Sequence, residues 1–431
     1  MSEAAAPAIG ERAHTSVWAR VATERGLATG ALAIIALHVV DDTFLQPQPG
    51  TSPTDHLVSG LVPLALLAGA AALYGRARPG VRATLALVGG FFGVLIGIEA
   101  AYFTLNGGPT GDDFTGIVAM LGGFVLLADG MVTLWRSRRT DRPLHRHLRR
   151  SAILAGAAAL VGVVLFPTAV AYVVTHTARA EVPHANLGAA HENVSFTTSD
   201  GLQLQGWFVP SQNGATVIAF PGRSGPQKHA RMLIRHGYGV LLFDRRGEGA
   251  SDGDPNAFGW VGDRDLHAAA AYLRHRPDVD PARIGAIGLS VGGEMLIHTA
   301  AHSDAFKAIV SEGASGQSAR DGLANGDRFD EFLGGGVNTL ATALFTNTLP
   351  PPSLKSEVAK IAPTAVFFVY GENGQGGSEA KPNKLFYANA AEPKQIWEVP
   401  GGQHIAGITT KPRQYERRVI GFFDNALLDS A

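Results

Sequence analysis

The sequence predicts two unlike parts in one chain: an α-helical membrane domain of about five transmembrane helices over residues 1–180, and an α/β domain with a mostly parallel sheet and a small lid insertion over 190–431. Three observations carry this. Only 17% of the 431 residues are charged, against roughly 25% in soluble domains. Five long apolar stretches fall in the first part, at 26–44, 57–74, 83–105, 114–135 and 153–175. From about residue 190 the pattern becomes strand-length apolar runs alternating with helical ones, the signature of a parallel sheet flanked by helices.

Each apolar stretch approaches or exceeds the roughly 20 helical residues that cross a hydrocarbon core. The fifth, ILAGAAALVGVVLFPTAVAYVV, lacks the polar stripe of a helix on a globular protein. The first is no signal peptide, because no cleavage site followed by a soluble domain comes after it, and four more apolar stretches do.

The net charge of -1 divides into +3 before residue 180 and -4 after it. All basic charge in the first part is arginine, concentrated before the first stretch (Arg12, Arg20, Arg25), between the second and third (Arg76, Arg78, Arg82), and in WRSRRTDRPLHRHLRR after the fourth. Arginine-bearing loops are retained in the cytoplasm, whereas DDTFLQPQPGTSPTDH and NGGPTGDDF carry no Lys or Arg. Five spans then place everything after about residue 176 outside the cytoplasm. The absence of cysteine is compatible with an oxidising exterior. Neither nucleic-acid binding nor disorder fits this composition.

In the second part, VSFTTSDGLQLQGWFV reads as a hairpin turning at Asp200 and Gly201. ATVIAF, GVLLFD, RIGAIGL, FKAIV, TAVFFVY and QIWEV are the remaining strands. The interval 316–360 is too long for a simple crossover and reads as the lid.

The chemistry centres on Ser290, inside the GxSxG pattern Gly288-Leu-Ser-Val-Gly292. Small flanking residues permit the tight strand-to-helix turn that lifts a serine hydroxyl above a sheet. A second match, Gly249-Ala-Ser251-Asp-Gly253, lies in a polar loop and reads as a turn. A serine hydroxyl needs an imidazole to take its proton and a carboxylate to hold that imidazole. His404 is the only histidine beyond His302, and it follows the last strand in PGGQHIAG. The acid should follow TAVFFVY, where Glu379 is favoured over Glu372 because the small residues between could fold back toward His404. The oxyanion is assigned to the amides of Val291, after the nucleophile, and Arg223, in the loop PGRSG. His298 and His302 share a helix face at metal-ligand spacing but have no evident third ligand, so structural roles are expected.

On GLSVGG, LLFDRRGEGASDG and FGWVGDRDLHAAAAYLRHRPDVDPARIGAIGLSVGG, residues 190–428 resemble the α/β-hydrolase fold superfamily, in the subgroup of dienelactone hydrolases and prolyl-oligopeptidase-like esterases. The resemblance implies hydrolysis through an acyl-enzyme on Ser290, with no cofactor and no metal. It implies a shaping role for the DRRGEG segment, so Arg245 and Arg246 are not catalytic. It also implies an aspartate where this chain has Gly374.

Glu99 and Asp129 lie within the spans, where ionisable groups face a protein interior or a watery cavity, while His38, Asp41, Asp42, Asp55 and His56, with Asp112 and Asp113, are candidates for a metal or proton site on the outer side; interfacial placement with interhelical hydrogen bonding is the simpler account. The expected protein is a multi-pass serine hydrolase of the cell membrane, cleaving ester, thioester or amide bonds of a small-molecule or lipid-like acyl substrate, with the bilayer as partner. The rival is a non-catalytic receptor or transporter with a hydrolase-like binding domain.

Overall fold

The computed structural model describes residues 23–46, 53–54, 56–107, 111–136, 142–177, 182–327 and 334–429. Arg12, Arg20, Asp55, the expected boundary at 180 and residues 328–333 of the insertion lie outside the described residues. The chain divides into two compact units, Met1–Asp42 with Gly60–Val161, and Thr43–Ser59 with Gly162–Ala431.

Among the described residues, five helices are long and apolar enough to cross a membrane. They are α1 (Glu24–Val40, continued to Leu45), α2 (Leu57–Tyr74), α3 (Pro79–Gly107, of which the apolar span ends at Tyr102), α4 (Gly111–Arg136), and a fifth running from Pro143 to Thr175. The fifth comprises α5 (Pro143–Leu160), a π-helical stretch and α6 (Phe166–Thr175). In the first unit, glycine brings α3 and α4 into backbone contact: a Cβ at Gly90 would stand 2.8 Å from the Gly123 carbonyl oxygen, and one at Gly97 2.2 Å from Met120 Cβ. Small residues do this in lipid, where helices associate by close packing.

Several polar residues of this unit are engaged internally, whereas the buried Glu99 side chain has no hydrogen-bond partner among the described residues. The Tyr74 hydroxyl donates to Asp129. Glu24 meets Arg82 at 3.1 Å and accepts from Thr133 at 2.9 Å. His38 Nδ1 lies 3.0 Å from Thr115 Oγ1, which donates to Asp41 at 2.8 Å. In the second unit His56 stands 3.6 Å from Asp254. Among the described residues, no group of three or more His, Asp or Glu could hold a metal ion.

The second unit is built on an eight-stranded sheet in the order β1-β2-β4-β3-β5-β6-β7-β8. The strands are β1 (Glu192–Thr197), β2 (Gln203–Val209), β3 (Thr216–Phe220), β4 (Gly239–Phe243), β5 (Ile284–Leu289), β6 (Ala308–Glu312), β7 (Ala365–Gly371) and β8 (Lys394–Val399). β2 runs antiparallel to β1 and β4, and every other pairing is parallel. β3 to β6 are buried along their whole length, which explains their continuous apolar runs. Helices cover both faces, α7 (Gln227–Arg235) and α14 (Pro412–Phe423) on one, α8 (Asp263–Arg274), α9 (Val291–His302) and α13 (Ala380–Asn389) on the other.

Between β6 and β7 lie α10 (Ala319–Asn325), α11 (Gly336–Thr346) and α12 (Leu354–Glu357). α11 packs lengthwise on α6. Asn338 Nδ2 donates to the Pro167 carbonyl at 3.0 Å, and Phe345 meets Tyr172 edge-on at 5.4 Å.

Candidate active site

β5 ends in Leu289 and α9 begins at Val291, so Ser290 is the hinge residue between them. Its backbone sits at φ 53°, ψ -122°. A non-glycine residue there costs about 1–3 kcal/mol and persists only where surrounding packing enforces it. The enforcement is visible in the flanking glycines. A Cβ on Gly288 would stand 2.4 Å from the Gly292 carbonyl oxygen, and one on Gly292 2.7 Å from Pro221 Cδ. Gly288→Val is expected to lower stability by about 2–4 kcal/mol, because its obstruction is backbone and cannot swing aside. A melting temperature unchanged for the full chain in detergent would contradict this account of the turn.

His404 Nε2 lies 2.9 Å from Ser290 Oγ. The other ring nitrogen, Nδ1, is hydrogen-bonded to Glu379 Oε1. One imidazole therefore links a hydroxyl to a fully buried carboxylate, the geometry in which a ring can take a proton from the serine while its own charge is balanced. Glu379 precedes α13 and is brought back by the turn Gly374–Gly377, in which Gln375, Gly376 and Gly377 all have positive φ. Its Oε2 accepts the Gly371 amide at 3.2 Å.

The alternative acid, Glu372, is not at this site. Its carboxylate is exposed and accepts the Gly401 amide at 2.7 Å. It leaves β7 too early to reach the ring. The oxyanion assignment to Arg223 also needs correction. The Arg223 amide donates to Asp244 Oδ1 at 3.0 Å and its Nε to Oδ2 at 2.9 Å, so that N–H is already committed inside the protein. Val291 is the first residue of α9, where amides have no intrahelical acceptor.

Ser251 is fully buried. It donates to the Asp244 carbonyl at 2.6 Å and accepts the Gln205 amide at 2.9 Å, holding the turn after β4. Arg246 is paired with the buried Asp265 at 2.7 Å and Arg245 with Glu248, both structural contacts. His302 Nε2 lies 2.5 Å from Glu357 Oε2, and burial lowers the His298 pKa, favouring a neutral ring.

Two buried carboxylates that residue spacing did not single out support the site. Glu294, one turn after Ser290, accepts the Ser315 and Gly316 amides at 2.9 and 2.8 Å, fixing the loop that leaves β6. Burial pushes its pKa up to about 7. Glu312, at the end of β6, accepts the Gly407 amide at 2.9 Å and the Tyr415 hydroxyl at 2.5 Å, anchoring the segment that follows His404. An acid within the apolar run VGGEMLI that opens the helix was the available signal for Glu294.

The hydrogen bond to Glu379 raises the His404 pKa above 6.5, against the opposing effect of burial. The pair's contribution to stability is therefore present below pH 6.5 and is lost as pH rises through the raised value. The same titration frees Nε2 to accept a proton. If His404 is the general base, kcat/KM is expected to rise along one limb centred above pH 6.5, and Glu379→Gln should move that limb downward. A pH–rate profile with an unmoved limb would break the link.

A cavity of about 420 Å³ is lined by chain neighbours of Ser290 and His404, though not by those two residues themselves. Its wall includes Leu289, which precedes Ser290, Ile405, which follows His404, and Ser224 from the loop after β3.

Comparison with known proteins places these residues in context. A family model described as X-Pro dipeptidyl-peptidase (S15 family) matches residues 168–375. The Escherichia coli K12 "Uncharacterized protein YfhR" is 28% identical over 249 residues, covering 55% of this chain and 81% of its own length. A "Polyketide transferase grgF" from Penicillium sp is 36% identical over 132 residues, 28% of this chain and 43% of that protein. Among solved structures, the Pyrococcus furiosus esterase Pf2001 aligns with a TM-score of 0.48 at 21% identity, covering 59% of this chain and 98% of that one.

Proposed function

Because this chain belongs to the α/β-hydrolase superfamily, we propose that it is a membrane-anchored serine hydrolase that cleaves carboxylic esters, and by the same route thioesters or amides, through an acyl-enzyme on Ser290. The observation that carries this reading is the continuous contact from Ser290 Oγ through the His404 ring to Glu379. Ser290 Oγ attacks the substrate carbonyl carbon while His404 Nε2 takes the hydroxyl proton. The resulting oxyanion is stabilised by the Val291 amide, with the Ser224 amide as second donor. Among the described residues the Ser224 N–H has no hydrogen-bond acceptor, and Ser224 lines the cavity. His404 then returns the proton to the leaving group, whose bond to the carbonyl carbon breaks. A water, deprotonated by the same nitrogen, releases the acid product and restores Ser290.

A fluorophosphonate probe tests this directly. Wild-type chain should be labelled and Ser290→Ala should not. An unlabelled wild type, or equal labelling of both, would favour a binding domain without catalysis.

The five apolar helices support membrane anchoring, and the arginine distribution supports a catalytic domain outside the cytoplasm. Cysteine occurs nowhere in the chain, so single cysteines introduced at position 146 and in the 41–56 loop can be probed in intact cells with an impermeant thiol reagent. Modification only in the 41–56 loop is expected. Modification only at position 146 would reverse the orientation.

A further inference from the structure

The insertion between β6 and β7 carries no charged residue from 332 to 354. Its helix α11 leaves Leu340 62% exposed, and Leu349 beyond it is 85% exposed. An apolar surface of this kind on a water-facing lid would be a liability. Yet α11 lies along α6, the last ten residues of the fifth apolar helix. The two run in the same direction. Asn338 and Gly334 meet Pro167, while Phe345 meets Tyr172 and His176.

From Pro167 to His176 is nine residues, about 14 Å along a helix, close to half of a hydrocarbon core of about 30 Å. If α6 ends at the membrane surface near His176, the start of α11 lies as deep as Pro167. α6 has its own outward stripe of Phe166, Val170 and Val173, all exposed, and Leu340 extends that kind of surface sideways. Near the deep end polar groups are answered as lipid requires: the Asn338 amide donates to the Pro167 carbonyl at 3.0 Å and Thr168 Oγ1 to the Val164 carbonyl at 2.7 Å. The same end of α11 is tied to the catalytic domain: Thr339 Oγ1, next to Asn338, accepts the Ala319 amide at 2.8 Å, and the segment leading to Ala319 is held by Glu294, one turn from Ser290.

We propose that α11 is immersed in the leaflet where the fifth helix ends, and that the lid of this hydrolase is a membrane-embedded element admitting acyl substrates dissolved in the bilayer. The substrate part rests on the hydrolase reading above; the immersion does not. The cysteine-free chain allows spin labels at Leu340→Cys, at Val170→Cys as the lipid reference and at Lys384→Cys as the aqueous reference, in phosphatidylcholine vesicles. The label at 340 should match that at 170, accessible to oxygen and shielded from a water-soluble nickel chelate. A label at 340 that behaves like that at 384 overturns the immersion, and one at 170 that does so overturns the membrane reading with it. Leu340→Glu should leave turnover of soluble p-nitrophenyl acetate within twofold and lower hydrolysis of a long-chain ester in vesicles at least tenfold. Equal loss on both esters overturns the substrate inference while leaving the labelling result intact. Absence of turnover by wild type on either ester faults the hydrolase reading instead.

Discussion

Ser290→Ala is expected to reduce kcat for ester hydrolysis by about 10⁴- to 10⁶-fold with little change in KM. The serine oxygen forms the covalent bond of the acyl-enzyme, and alanine supplies nothing in its place. The comparison with His404→Ala is more diagnostic than the loss itself. His404 Nε2 and Ser290 Oγ are 2.9 Å apart, and two groups that act in one proton transfer lose their effect together. His404→Ala should therefore cost nearly as much as Ser290→Ala, and the double variant should be no slower than the worse of the two. Additive losses, measured under saturating substrate, would show that the groups act in separate steps. Far-ultraviolet circular dichroism of the variants should match wild type, since neither side chain is part of the packed core.

The second large effect concerns the acid. Glu379→Gln is expected to lower kcat by about 10³- to 10⁴-fold, because a neutral amide cannot stabilise the imidazolium and can hold the ring in the wrong tautomer. Gly374 is the spatial counterpart of this residue. A Cβ at position 374 would lie 2.1 Å from Glu379 Oε2 and 2.2 Å from its Cδ, so the missing side chain at 374 is what gives the carboxylate its place. Gly374→Val should displace Glu379 and reproduce most of the Glu379→Gln loss. Gly374→Asp combined with Glu379→Ala should recover at least tenfold over Glu379→Ala alone, since the new carboxyl would enter the vacated volume. Full activity in Gly374→Val would refute this steric argument.

The glycine at 374 bears on the rival reading as well. Seen along the chain, the lack of an aspartate there argued for a binding domain without catalysis. In three dimensions a carboxylate from five residues later occupies that space, and the gap becomes the condition for Glu379 to reach His404.

Much of the architecture is written in local residue patterns. Period and composition distinguish the five long apolar stretches from the strands, because a helix in lipid is apolar on nearly every side, whereas a strand buried in a parallel sheet is a short apolar run bounded by turns. The nucleophile follows from the same locality: GLSVGG has its meaning in a turn spanning a few residues. His404 follows from chain order, being the one histidine left after the last strand.

What the tertiary structure alone decided are contacts between residues distant in the chain or separated by loops of unreadable path. Glu379 rather than Glu372 faces His404 because of three consecutive positive-φ residues at 375–377, a conformation that small residues permit but do not specify. The Arg223 amide looked free in PGRSG and is taken by Asp244, 21 positions away. The apolar insertion found its companion in α6, more than 160 residues earlier. Sequence determined which residue types were present and which local turns they could make; folding decided which polar groups would be consumed by one another and which would be left to meet a substrate.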